Sequence, residues 1–266
     1  MTTLAPAPAG ALVPDPRWAL FLDVDGTLLH FAETPDGVRP DEAVCRLLPR
    51  LQAALGGAVA LISGRGVRDL DTLFAPLRLP LAGLHGLEHR DAQGRLHVLG
   101  EAEALDHLRA PMRALAESRE GLLLEDKGRA LAIHFRQAPG EAARVEAVVA
   151  GLVGGSSDLR LIHGKMVIEI KPRHADKGSA VRAFMAEAPF LGRIPVFLGD
   201  DVTDEDAFRA VNDLGGVSIH IGHGGATPEK APETAAHYRL EGVDRTVQWL
   251  ERSAKALETL KEDRGP

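Results

Sequence analysis

The sequence predicts an α/β fold: a doubly wound, mainly parallel sheet into which a smaller α+β domain is inserted. Two observations carry that expectation: four short apolar runs separated by helical-period stretches, and a block of glycine-turned hairpins between residues 101 and 171. The runs WALFL (18–22), GAVALI (57–62), PVFLG (195–199) and GVSIHIG (216–222) are nearly continuous, as strands are when helices cover both faces of their sheet. Helical periodicity at 41–54, 66–75, 177–188, 204–212 and 243–260 supplies the cover. From 101 the rhythm changes to a helix at about 101–118, hairpin strands LLLED and RALAIHF around Lys127-Gly128, and a helix at 140–153. Strands LRLI and MVIEI then flank His163-Gly164-Lys165. Hairpins pair antiparallel and cannot continue a parallel sheet, so this block is expected as a separate domain. Pro111 either kinks its first helix or moves the start of that helix. The expected division is a disordered Pro/Ala-rich tail at 1–16, a core from 17–100 and 172–266, and the inserted domain at 101–171.

Composition narrows the function. Acids outnumber bases 38 to 31 and the net charge is −7, so no basic field exists to hold nucleic acid. Aromatic residues, at 4%, are too few for a base-stacking platform. No apolar stretch reaches about 18 residues, which argues against a spanning helix. The first sixteen residues lack a positively charged start, and their prolines forbid a regular helix, so they do not read as a signal peptide. The single cysteine, Cys45, can form neither an internal disulfide nor a four-ligand zinc site. The expectation is a cytoplasmic monomer that acts on a small molecule, with no nucleic-acid or membrane partner.

The ends of the apolar runs carry the chemistry. In open parallel sheets the loops after the carboxyl ends of the strands converge on one crevice. Asp23 and Asp25 follow the first run, Ser63-Gly64-Arg65 the second, and Asp200-Asp201 the third. Asp23 alone would be explained by loop capping. The stretch from Asp200 to Asp206, however, puts five acids within seven residues, and their repulsion calls for a cation. Oxygen-only ligands point to Mg²⁺ and away from zinc. A helix macrodipole accounts for Glu205 and Asp206 but not for Asp200, which precedes the helix. Ser63, with the backbone of Gly64 and Arg65 at a helix start, can hold an anion. Lys177 in the first turn of a helix opposes the positive helix end, so a compensating anion is expected there. Together these are the parts of phosphoryl transfer: a carboxylate nucleophile, a second carboxylate as acid and base, a hydroxyl and an ammonium on the phosphate, and acids on the metal. Neither G-x-x-x-x-G-K-[ST] nor G-x-G-x-x-G occurs, which argues against P-loop and dinucleotide chemistry.

The motifs DVDGT (23–27), SGR (63–65), DKG (176–178) and GDDVTDED (199–206) resemble, in order, the four motifs of the haloacid dehalogenase (HAD) superfamily. With GLHGLE (83–88), EDKGRALAIHFR (125–136) and GKMVIEIKP (164–172), the chain resembles the trehalose-6-phosphate phosphatase family over about 18–250. The resemblance implies a HAD-like (Rossmann-like) core, a mobile cap at the insertion, and Mg²⁺-dependent hydrolysis of trehalose 6-phosphate through an aspartyl phosphate. It implies that Asp23 is nucleophile and metal ligand, and that Asp25 is acid and base with its carbonyl on the metal. Thr27, Ser63 and Lys177 would hold the phosphoryl group, Asp200 would complete the metal site, and Asp201 and Asp204 would support it.

In the inserted domain Lys127 and Lys165 sit at the two hairpin turns, with Glu125 and Glu169 two and four residues away on shared strand faces. Two charged pairs suit sugar hydroxyls, a role that the resemblance supports; the alternative is exposed turn lysines with incidental neighbours. The 83–88 segment with His85 is either a backbone turn beside the site or a contact with substrate. No second metal site is expected at His220 and His223. The core motifs do not separate trehalose 6-phosphate from sucrose 6-phosphate or mannosyl-3-phosphoglycerate. A phospho-acceptor signalling domain shares several of these residues, but it explains neither Asp25 nor the insertion.

Overall fold

The structure, a computed structural model, describes residues 7–31, 38–100, 105–164, 166–223 and 233–263. Its elements begin with β1 (Ala7–Pro8), β2 (Trp18–Leu22), α1 (Glu42–Ala54), β3 (Val59–Ile62), α2 (Val67–Phe74), β4 (Leu81–Gly83), β5 (Glu88–Arg90) and β6 (Leu96–Val98). They continue with α3 (Asp106–Glu117), β7 (Leu123–Asp126), β8 (Leu131–His134), α4 (Ala142–Val153), β9 (Leu159–Gly164) and β10 (Val167–Pro172). The last are α5 (Lys177–Met185), β11 (Ile194–Gly199), α6 (Glu205–Asp213), β12 (Val217–Gly222), β13 (Tyr238–Glu241) and α7 (Gly242–Glu262). The chain divides into two compact units, residues 1–97 with 177–266, and residues 98–176.

The first unit is built on a sheet of order β1-β13-β12-β11-β2-β3-β4-β5-β6. Pairing is parallel from β1 to β4 and turns antiparallel at β5. Alternation along the central strands divides the core in two. Leu20, Leu22, Val59, Leu61, Val196, Leu198, Ile219 and Ile221 join Leu48 of α1 and Leu250 of α7 in one cluster. Ala19, Phe21, Ala60, Ile62 and Phe197 join Phe184 of α5 and Phe208 of α6 in the other. Each strand side chain therefore finds a helix whichever way it points, so the runs carry no polar alternation. Burying each large apolar side chain contributes roughly 1.5–3 kcal/mol.

The sheet is wider than the four expected strands. β4 and β5 have three residues each, and β13 (Tyr238–Glu241) carries Arg239 and Glu241, so no apolar run announces them. The expected tail also needs correction at its inner end. Ala7 and Pro8 pair with Tyr238 and Arg239, and the buried Trp249 indole N–H donates to the Ala9 carbonyl at 3.1 Å. A buried indole needs an acceptor, and the sheet edge supplies one by holding this segment.

The second unit carries an antiparallel sheet of order β7-β8-β10-β9, and α3 and α4 share its core through Leu108, Met112, Val145, Val149, Ile133 and Ile168. Here α3 begins at Asp106 and Pro111 lies inside it.

Candidate active site

Asp23 directly follows β2, Asp200 directly follows β11, and α5 begins at Lys177, so the parallel sheet brings these chain-distant residues together at the carboxyl ends of its strands. The Lys177 ammonium donates to Asp23 Oδ1 at 2.7 Å and to Asp204 Oδ1 at 2.6 Å, and all three residues are buried. Asp204 Oδ2 accepts from the backbone N–H groups of Asp200 and Asp201, both at 2.9 Å, which shapes the turn that presents Asp200. His223 Nε2 lies 2.5 Å from Asp200 Oδ2.

Burial is the largest influence on Asp23 and raises its pKa well above the ordinary carboxylate range; Lys177 opposes the rise, and Asp204 and Asp200 add to it. Burial raises Asp204 in the same way, against the pull of Lys177. For Lys177 burial acts downward, but the two flanking carboxylates outweigh it and the ammonium stays charged. When ionised, the three clustered carboxylates outnumber the one ammonium that Asp23 and Asp204 share, a charge excess that a divalent cation would balance.

Oxygens of Asp23, Asp200 and Asp204 lie within 4.8 Å of one another, the one such group among the described residues. This hard, all-oxygen set fits Mg²⁺ better than a thiophilic or imidazole-preferring metal. Of the expected acids, Asp201 falls outside it, and Asp25, expected to reach the metal through its backbone carbonyl, keeps its carboxylate for another partner. The Asp25 carboxylate is engaged by Arg65, which donates from Nε and Nη2 at 2.7 Å each, and Asp201 begins the turn that Asp204 caps. Asp204 instead sits inside the cluster, because its side chain folds back under the loop.

Gly26 adopts φ +85°, and a Cβ there would run into the Asp200 carboxylate. The glycine of the DVDGT run is thus the space Asp200 occupies. Gly26→Ala is expected to displace Asp200 and weaken any divalent-cation binding at this cluster by at least about tenfold, which calorimetric titration with a divalent metal would check.

Thr27 is fully buried, and its hydroxyl finds no hydrogen-bond partner among the described residues, the condition of a group awaiting a ligand. Ser63 is buried at the end of β3 and its hydroxyl accepts the Arg65 N–H at 3.1 Å. Sequence reasoning placed Ser63-Gly64-Arg65 near Asp25 but gave no sign of the guanidinium clamp, which spans 40 residues. It weighed His223 only as half of a second metal site with His220, and not as a partner of Asp200.

In the second unit Glu125, Ala132 and Glu169 share one row across β7, β8 and β10, so both glutamates lie on one face. Lys127 donates to Glu169 Oε2 at 2.8 Å, whereas Glu125 Oε2 is 3.9 Å from it and pairs with His134 Nε2 at 2.9 Å. Lys127 thus keeps the expected ion pair with Glu125 at 3.9 Å and adds a closer, cross-strand hydrogen bond to Glu169. Lys165 lies outside the described residues.

The sequence profile described as trehalose-phosphatase matches residues 21–244. A probable trehalose-phosphate phosphatase of Sinorhizobium fredii (strain NBRC 101917 / NGR234) is 49% identical over 207 residues, covering 77% of this chain and 78% of the relative. The trehalose-6-phosphate phosphatase of Escherichia coli (strain K12) is 42% identical over 248 residues, covering 93% and 90%. In fold the chain is similar to the C-terminal domain of Candida albicans trehalose-6-phosphate phosphatase, with a TM-score of 0.83 at 20% identity over 95% of this chain and 99% of that one. A haloacid dehalogenase-like hydrolase from Bacillus subtilis gives a TM-score of 0.61 at 15% identity over 88% and 99%. With its profile match across most of the length and its acid cluster at the expected strand ends, the chain belongs to the trehalose-phosphatase family of phosphoric monoester hydrolases with a HAD-like fold.

Proposed function

We infer that the protein hydrolyses trehalose 6-phosphate to trehalose and phosphate through an aspartyl phosphate on Asp23. The observation that carries the mechanism is the Lys177 ammonium 2.7 Å from Asp23 Oδ1 in a buried acid cluster. A carboxylate raised by burial is a poorly solvated and therefore reactive nucleophile once ionised, and the ammonium offsets the charge of the approaching phosphoryl group. Thr27 and Ser63 offer hydroxyls to its oxygens. Mg²⁺, held by Asp23, Asp200 and Asp204, would supply further neutralisation of the phosphate when bound.

Asp25 serves as acid for the departing sugar oxygen and then as base for water. Its two carboxylate oxygens accept from Arg65 Nε and Nη2 at 2.7 Å each, which fixes the orientation of the carboxylate. When substrate binds, Arg65 would exchange Asp25 for the incoming phosphate, leaving Asp25 to turn to the sugar oxygen.

Recognition of the sugar is assigned to Glu125, Lys127, Lys165 and Glu169 of the second unit. Glu169→Ala removes charge-assisted bonds worth roughly 1.5–3 kcal/mol, or about 10- to 150-fold in kcat/KM. The loss should be confined to trehalose 6-phosphate, because p-nitrophenyl phosphate offers no hydroxyls; a parallel drop for both would refute the assignment. Phosphate release from trehalose 6-phosphate, sucrose 6-phosphate and mannosyl-3-phosphoglycerate, with and without Mg²⁺, tests the whole proposal. Preference for either of the latter substrates would replace the sugar while keeping the chemistry.

A further inference from the structure

The segment from Gly83 to Glu88 links β4 to β5, and it is held in a conformation that its own sequence does not favour. Leu84 and His85 are successive non-glycine residues in the left-handed region, at φ 50° and 54°, a strain that surrounding contacts must offset. The turn packs against α5, and its backbone is tied to the loop at residues 63–67. The Leu84 N–H donates to the Arg65 carbonyl and the His85 N–H to the Ser63 carbonyl, both at 2.9 Å.

Side chains complete the match. The His85 imidazole is buried against Gly64 so closely that a Cβ on Gly64 would lie 2.7 Å from Nε2. A Cβ on Gly83 would lie 2.8 Å from the Val67 nitrogen and 2.9 Å from the Arg65 oxygen, so glycine is required on both sides of the contact. Glu88 Oε2 accepts the Val67 N–H at 2.7 Å, capping the start of α2 from another element.

We propose that the Gly83–Glu88 segment is a rigid template for the phosphoryl-binding loop, with His85 and Glu88 as positioning residues that fix Ser63 and the Arg65 backbone. The inference rests on the reading of Ser63 as a phosphoryl-binding group. His85 acts by filling the space above Gly64, which leaves that residue no alternative backbone path. Glu88 fixes the first helical amide, so the turn between Ser63 and α2 has both ends anchored. A displacement of about 1 Å in such a loop costs up to about 100-fold in transition-state stabilisation.

His85→Asn tests the wedge, because asparagine tolerates the left-handed backbone and removes the ring. In the Mg²⁺-loaded enzyme, the inhibition constant for orthophosphate is expected to rise roughly 10- to 100-fold. The kcat/KM values for trehalose 6-phosphate and p-nitrophenyl phosphate should fall together, because the phosphoryl site is common to both. Glu88→Ala should behave alike, and Glu88→Gln, whose carbonyl still accepts the Val67 N–H, should recover most of the loss. Gly64→Ala should also weaken orthophosphate, and adding His85→Asn should restore part of that loss by relieving the collision. Folded His85→Asn and Glu88→Ala variants with unchanged orthophosphate inhibition would overturn the template while leaving the proposed function intact. An absence of orthophosphate inhibition in the parent enzyme would overturn both.

Discussion

Asp23→Asn should abolish phosphate release, by roughly 10⁴- to 10⁶-fold, while leaving the protein folded and at least as stable as the parent. The size follows from two losses at one atom pair. The amide has no charge with which to attack phosphorus, and it withdraws one of the three oxygens that cluster with Asp200 and Asp204. The stability follows from the ion balance. Burial disfavours the Asp23 carboxylate, as its raised pKa records, so a neutral amide of the same shape relieves a cost. Lys177 keeps Asp204 as its partner at 2.6 Å and is not left uncompensated. Turnover of p-nitrophenyl phosphate and a thermal melt, measured on one preparation, check both halves. A folded variant retaining more than a few per cent of parental turnover would exclude Asp23 as the nucleophile.

The features that sequence made legible were those set by neighbours along the chain. β2, β3, β11 and β12 announced themselves because helices cover both their faces, and Asp23, Ser63 and Asp200 followed because each terminates one of those strands. Features set by distant partners were hidden. Nothing near Arg65 signals that its guanidinium closes on Asp25, nor does the first hairpin turn signal that Lys127 reaches across to Glu169. Asp204 was within reach: its place three residues after Asp201, at the start of a helix, is the spacing at which a side chain turns back to cap backbone N–H groups. That fold-back carries it from a supporting role into the acid cluster. Segment 83–88 was flagged by resemblance alone, because the strain at Leu84 and His85 is invisible until a backbone exists.

Lys177→Met should cost both catalysis and folding, and the two losses should respond differently to pH and metal. The methionine leaves Asp23 and Asp204 without their buried cation, and breaking a buried ion pair by removing one partner costs roughly 3–5 kcal/mol. The catalytic loss, from removing one preorganised charge at the phosphoryl site, should be about 10²- to 10³-fold. Lys177 is what holds the Asp23 and Asp204 pKa values down against burial, so without it both rise further. A carboxyl whose folded pKa exceeds its unfolded pKa makes the native state bind more protons, so stability falls as pH rises through that interval. The destabilisation of Lys177→Met should therefore be greatest near neutral pH and shrink as pH falls toward the ordinary carboxylate range. Mg²⁺, by binding the native state, should restore stability without restoring turnover; at 100 times its dissociation constant the gain is about 2.7 kcal/mol. Urea midpoints measured at several pH values, with and without Mg²⁺, would show this pattern. A loss independent of pH would mean that Lys177 acts through packing and not through the charges it separates.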